Sequence, residues 1–193
     1  MTTDSNIVSF DNEPLILVDT NDVVIGYEEK ASAHQGDGKL HRAFSIFLLN
    51  DYDEVLLQQR SSLKPLWPMY WSNTCCSHPR RGETLAQSTT RRLREELNLE
   101  APLKYLYKFQ YHARYEAALG SEHELCSVFV GHVQGRPKPK VNQTEIADTV
   151  WLPITEVNEW LSNDQISTTP WFALEWKQLQ DDHAAELKRV PSA

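Results

Sequence analysis

From residue 15 onward the chain is built of short apolar or alternating runs divided by turn residues, with a helical period once in its middle and again near its end. Residues 15–19 and 23–27 flank Asn21-Asp22 and predict a β-hairpin. Residues 43–49 and 55–59 flank the polar stretch from Asn50 to Glu54 and predict a second. Between the hairpins, residues 30–40 are polar with two glycines and predict a loop. The clearest helix spans 84–97: Leu85, Leu93 and Leu97 form an amphipathic stripe, and Thr84-x-x-Gln87 fits a capping box. The aromatic-rich run 103–115 and the apolar run 125–133 predict strands. After the break at Pro137-Lys138-Pro139, a strand is expected over 149–154 and a short helix near 155–161. Pro170 starts a last helix, expected to reach about Arg189, with Phe172, Leu174, Trp176, Leu179 and Leu187 as its apolar contacts. Strands in the middle, one internal helix and helices at the end describe an α+β fold, an α/β/α arrangement rather than a doubly wound parallel sheet.

Length and composition narrow the class. At 193 residues, 40% hydrophobic and 24% charged, the chain suits one globular domain over 1–193, with 1–13 as a flexible tail. The net charge of −8 and the lack of a Lys/Arg stripe argue against a nucleic-acid partner. No run approaches the roughly eighteen apolar residues of a membrane span, and the acidic, polar N-terminus does not read as a signal peptide. Cys75, Cys76 and Cys126 make an odd count with two neighbours, which disfavours a disulfide framework and points to the cytoplasm. The absence of a Gly-rich dinucleotide fingerprint points away from flavin or nicotinamide. Oligomeric state is not legible.

The chemistry-bearing residues cluster around one run, Trp71-Ser72-Asn73-Thr74-Cys75-Cys76-Ser77-His78-Pro79, which is poor helix and suits a rigid active-site loop. His34 and His41 lie upstream of it. Glu122 and Glu124 lie downstream, alternating at the start of a strand so that both carboxylates share a face and His123 takes the other. Three imidazoles and two carboxylates suit Mn²⁺, Zn²⁺ or Fe²⁺ better than Mg²⁺, although none of the spacings alone is a metal signature. Glu83, Arg91, Leu93, Glu95, Glu96 and Leu99 fall at the spacing of the Nudix box, with departures at Ser77, Arg92 and Asn98. Arg92 stands where that box has a metal-binding Glu, and it shares a helical face with Glu96 as a surface ion pair or as part of a site.

The whole set resembles the type I isopentenyl-diphosphate Δ-isomerases, a Nudix-fold family. The residues that carry the resemblance are His34, His41-Arg42-Ala43-Phe44-Ser45, Trp67-Pro68, the 71–79 run, Glu122-His123-Glu124 and Thr169-Pro170-Trp171. It covers about 30–171 and implies a Nudix-like α/β/α sandwich with a mixed sheet. It implies interconversion of isopentenyl and dimethylallyl diphosphate through a tertiary carbocation, with Cys76 and Glu124 on opposite faces of the substrate. Which of the two protonates the alkene stays open.

The resemblance further implies that His34, His41, His78, Glu122 and Glu124 hold one metal ion (Mn²⁺, Zn²⁺ or Mg²⁺). Glu96 and the Cys76 main-chain carbonyl would help hold Mg²⁺ on the diphosphate. Lys30, Arg60, Lys64 and Arg92 would surround that diphosphate, Tyr111 would hydrogen-bond Glu124, and Trp171 would lie over the reacting carbons. Cys75 is expected to be structural, and Cys126 to be buried or to line the pocket floor. A Nudix-type pyrophosphohydrolase is the alternative reading.

Overall fold

The computed structural model describes residues 7–188. Nine strands, β1 (Pro14–Val18), β2 (Val24–Glu29), β3 (His41–Asn50), β4 (Glu54–Arg60), β5 (Trp71–Ser72), β6 (Cys75–Ser77), β7 (Leu103–Tyr115), β8 (Gly120–Val133) and β9 (Ile146–Pro153), join in one mixed sheet. Among the described residues, five α-helices accompany them: α1 (Lys30–Ala33), α2 (Leu85–Leu97), α3 (Glu116–Leu119), α4 (Val157–Ser162) and α5 (Pro170–Asp182).

Both expected hairpins form, and each turn is tied by its own side chain. The Asp19 carboxylate accepts main-chain N–H groups of Asn21 and Val23 at 2.9 Å, and Asn50 Oδ1 accepts those of Tyr52 and Glu54 at 2.9 and 3.1 Å. β3 is the hub of the sheet. It runs parallel to β8 along its whole length and antiparallel to β6. Its alternation then sorts the core. Phe44, Ile46 and Leu48 pack with Leu93 and Leu97 of α2, whereas Phe47 and Leu49 pack with Phe172, Trp176 and Leu179 of α5. A helix thus covers each face, and the sheet holds parallel and antiparallel pairs, as the α+β, α/β/α expectation requires.

α2 starts and stops where local chemistry dictates. Thr84 caps it with both capping-box hydrogen bonds to Gln87, and Asn98 closes it in the left-handed region at φ 53°. Asn is one of the few side chains that accept that conformation, so the change from the Gly of the Nudix box is tolerated here.

Five expectations need correction. The loop at 30–40 opens with a helical turn, α1, in which the Ala33 side chain is buried. The 71–79 run is not wholly loop: register with β4 and β3 draws it into β5 and β6. β8 begins at Gly120, because β7 pairs with it as far as Tyr115↔Gly120, so Glu122 and Glu124 lie inside the strand. α5 ends at Asp182, and Arg189 lies outside the described residues. The tail at 1–13 is described only from residue 7. Residues 8–13 are docked: Val8 O accepts from Arg92 at 2.8 Å, and Glu13 pairs with Arg80 at 2.5 Å.

Candidate active site

The register of β3 sets the site. Ser45 is the partner of Cys76 on β6, and His41 is the partner of Glu124 on β8. The thiol and the carboxylate therefore enter from strands on opposite sides of one hub. Both line a cavity of about 290 Å³, together with Lys30, His34, Arg60, Lys64, His78, Arg92, Tyr111, Glu122 and Trp171. His41 and Glu96 stand outside that wall, each touching a residue that is in it.

One end of the cavity can hold a metal ion. Ligand atoms of His34, His41, His78 and Glu122 all lie within 4.8 Å of one another. His34 Nε2 and Glu122 Oε2 approach to 2.7 Å, yet neither buried atom has a hydrogen-bond partner among the described residues. Two donors aimed past each other at a common point fit a shared cation. The far ring nitrogens are already committed: His34 Nδ1 donates to Lys30 O and His41 Nδ1 to Lys39 O, both at 2.7 Å, which turns each Nε2 lone pair inward. Burial, then the neighbouring His41, depress His78 well below the usual imidazole range, so it stays neutral as a ligand must. Burial alone would raise Glu122, but with no metal between them a protonated His34 holds its carboxyl down to about 2. Glu124 Oε1 adjoins the cluster, 3.1 Å from His78 Nε2 and 3.7 Å from His41 Nε2.

The opposite end is cationic. Arg92 and Glu96 are each only 2% exposed, so this pair is buried rather than on the surface. Arg92 meets Glu96 at 2.7 Å and Glu145 at 3.2 Å, and Lys64 meets Glu145 at 2.5 Å. Burial and then Lys64 lower Lys30 to about 8, and its ammonium donates to Ser9 Oγ at 2.5 Å. Arg60 spends two donors on the carbonyls of Trp67 and Leu66, at 3.0 and 2.8 Å, and lies 5.4 Å from the centre of the Trp171 ring. It pins a loop in which Trp67 holds a left-handed φ of 47°.

Between the two ends sit the Cys76 thiol and the Glu124 carboxyl. The Cys76 thiol donates to Asn73 Oδ1 at 2.7 Å and receives the Trp171 indole N–H at 3.2 Å. Burial, with the Glu175 charge next, pushes this thiol up. Glu124 would be raised by burial, but the neighbouring His41 and the Tyr111 hydroxyl, which donates to it at 2.7 Å, lower it. Cys75 is wholly buried with Phe44 and Leu93, its Sγ 3.4 Å from Glu96. Trp67 packs edge-on against Trp171, and Trp71 packs against Trp160 away from the cavity.

A family model for the NUDIX domain matches residues 39–172. The chain is 43% identical over 178 residues to isopentenyl-diphosphate Delta-isomerase 1 of Photorhabdus laumondii, covering 91% of this chain and 99% of that protein. It is 41% identical over 160 residues to the isopentenyl-diphosphate Delta-isomerase of Burkholderia multivorans, covering 83% and 89%. The chain belongs to the isopentenyl-diphosphate Delta-isomerase family of NUDIX proteins. The crystal structure of DR0079 from Deinococcus radiodurans shares the fold, with a TM-score of 0.66 at 20% identity over 84% of this chain and 96% of that one.

For a member of the isopentenyl-diphosphate Delta-isomerase family, two acidic residues at this site were absent from the sequence reading. Glu145 bridges Lys64 and Arg92 but sits in a polar stretch with no local pattern to mark it. Glu175 carried a signal. Positions 172, 175, 176 and 179 form the inward stripe of α5, and a carboxylate interrupts it.

Proposed function

We propose that this chain interconverts isopentenyl diphosphate and dimethylallyl diphosphate by protonation and deprotonation through a tertiary carbocation. The observation that carries this reading is the pair Cys76 and Glu124, brought from opposite sides of β3 to one cavity and each tied to an aromatic residue of its wall. An unactivated alkene is a very weak base. A proton must reach its terminal carbon, and another must leave C2 from the opposite side, so the site needs one proton donor and one acceptor. A thiol and a carboxylate supply them. The cation formed between must be stabilised without being trapped. An indole face such as Trp171 does this, worth about 2 kcal/mol when desolvated. Trp67, buried behind Trp171, helps keep water out.

His34, His41, His78, Glu122 and Glu124 would hold one metal ion, Mn²⁺, Zn²⁺ or Mg²⁺, which when bound sets the charge and protonation state of Glu124. Glu96 and the Cys76 carbonyl would hold Mg²⁺ on the diphosphate, and Lys30, Lys64, Arg92 and Arg60 would neutralise it. Hydrolysis is the less favoured reading: Arg92 is a cation where the Nudix box carries a metal-binding Glu, and hydrolysis gives no work to Cys76.

Incubation with isopentenyl diphosphate and Mg²⁺ is expected to yield dimethylallyl diphosphate without phosphate release, as read by product chromatography. Phosphate release without the isomer would sink the reading. Elemental analysis tests the metal centre. His41→Ala is expected to carry about tenfold less bound transition metal after dialysis against trace metal, the loss typical of a weakened ligand set. Equal content in both proteins would contradict the ligand set.

A further inference from the structure

α1 is a single turn of four residues, too short to be self-supporting in water, yet it carries His34 at its carboxyl end. What fixes His34 is the start of β8. The Ser121 N–H donates to His34 O at 2.9 Å, and Ser121 Oγ donates to Gly36 O at 2.7 Å. His112 on β7 donates from Nε2 to Asp37 O, also at 2.7 Å. Three carbonyls of the loop that leads from His34 to His41 are thus held by β7 and β8. The alternation of β8 permits this: Glu122 and Glu124 turn into the cavity, so Ser121 turns to the other face. Two glycines let the backbones meet. Gly120 has φ 134° and ψ −172°, a conformation essentially reserved for glycine, and a Cβ there would lie 2.5 Å from His34 O. Gly38, at φ 68°, stands across the seam, where a Cβ would lie 3.0 Å from Ser121 O.

We propose that Gly120 and Ser121 are positioning residues for the metal centre: they clasp the His34 main chain so that its imidazole faces Glu122. The inference rests on the ligand set read above. The strand that supplies the carboxylate thereby sets the histidine too, since Ser121 precedes Glu122 and His34 Nε2 lies 2.7 Å from Glu122 Oε2. His41 does not need the clasp, because its register with Glu124 in the sheet fixes it. His34 has no strand of its own and depends on the seam. A methyl group at 120 would force His34 O back by about 0.9 Å to reach ordinary contact. That exceeds the roughly 0.5 Å within which a binding constellation must be held.

Equilibrium dialysis of the full chain against stepped Mn²⁺ tests it, with no diphosphate present and bound metal counted by elemental analysis. Gly120→Ala is expected to raise the Mn²⁺ Kd at least about tenfold, the scale of a disturbed outer shell. Ser121→Ala adds no strain and removes only the hydroxyl held by Gly36 O, so its Kd should rise about fivefold, the worth of one hydrogen bond. Gly135→Ala is the control. Gly135 also has a left-handed φ, 67°, but it lies beyond the other end of β8 with open space where a Cβ would go. It carries backbone strain without touching the seam, and should bind Mn²⁺ as the parent does. A glycine that only stabilised the fold would move the unfolding transition and leave the Kd of the folded chain alone. Parent Kd in Gly120→Ala or in Ser121→Ala therefore overturns the inference. So does a Gly135→Ala Kd raised as far as that of Gly120→Ala. If Gly120→Ala does not fold, Ser121→Ala still decides. Lost Mn²⁺ in His34→Ala beside parent Kd in Gly120→Ala overturns this inference alone. Parent Kd in His34→Ala overturns the ligand set beneath it as well.

Discussion

Cys76→Ala is expected to lower kcat for isomerisation by about 10²–10⁴-fold, and Glu124→Gln to do the same, the range of a lost general acid or base. The two losses arise differently. Alanine removes the proposed proton carrier, together with the sulfur that receives the Trp171 N–H and donates to Asn73. Glutamine keeps the size of Glu124 and still accepts the Tyr111 hydrogen bond through its carbonyl, but it cannot take or give a proton. It also removes a charge next to His41 and His78, so bound metal should fall along with rate. Cys75→Ala is the control. Its thiol points away from the cavity, into the apolar cluster beneath α2, so the variant should keep most of its activity. A dead Cys75→Ala beside a live Cys76→Ala would show that the reactive thiol had been assigned to the wrong neighbour.

What was legible in the chain followed the range of the interaction responsible. α2 and its capping box need only residues within a few positions of one another, and both appear as expected. The same holds for β7, whose aromatic alternation spans the strand from end to end. β5 and β6 were hidden because two- and three-residue strands have no periodicity of their own; β4 and β3 impose it. The Arg92–Glu96 pair was visible as helical spacing, but its burial depends on Glu145 and Val8, distant residues that close over it. The metal cluster is similar: no spacing among His34, His41, His78 and Glu122 marks it, and the parallel pairing of β3 with β8 brings its parts together. Family resemblance supplied that set of residues where local pattern could not.

The buried position of Arg92 leads to the largest expected effect on stability. Arg92→Met should destabilise the fold by about 3–5 kcal/mol, the cost of leaving buried carboxylates without their cation. An exposed helical pair would cost less than about 1 kcal/mol. Arg92 donates to Glu96 at 2.8 Å from Nε and to Val8 O at 2.8 Å from Nη1, and it meets Glu145 at 3.2 Å. With methionine, Glu96 keeps a hydrogen bond from Cys75, and Glu145 keeps Lys64, neither enough for two buried charges. The pH dependence gives the sign. Burial would raise Glu145, but Lys64 and then Arg92 hold it down to about 2, from an ordinary value of 4.5. A carboxyl depressed on folding stabilises fully above its unfolded pKa and loses that contribution as pH falls through its folded one. The parent chain should therefore lose this stability between pH 4.5 and about 2. Arg92→Met, whose Glu145 is depressed less, has less to lose over that window. Urea unfolding at stepped pH should show the deficit largest near neutrality and narrowing as pH drops. A deficit under about 1 kcal/mol at pH 7 would return the pair to the surface class. A deficit that stays constant on acidification would mean that Glu145 is not among the groups Arg92 holds.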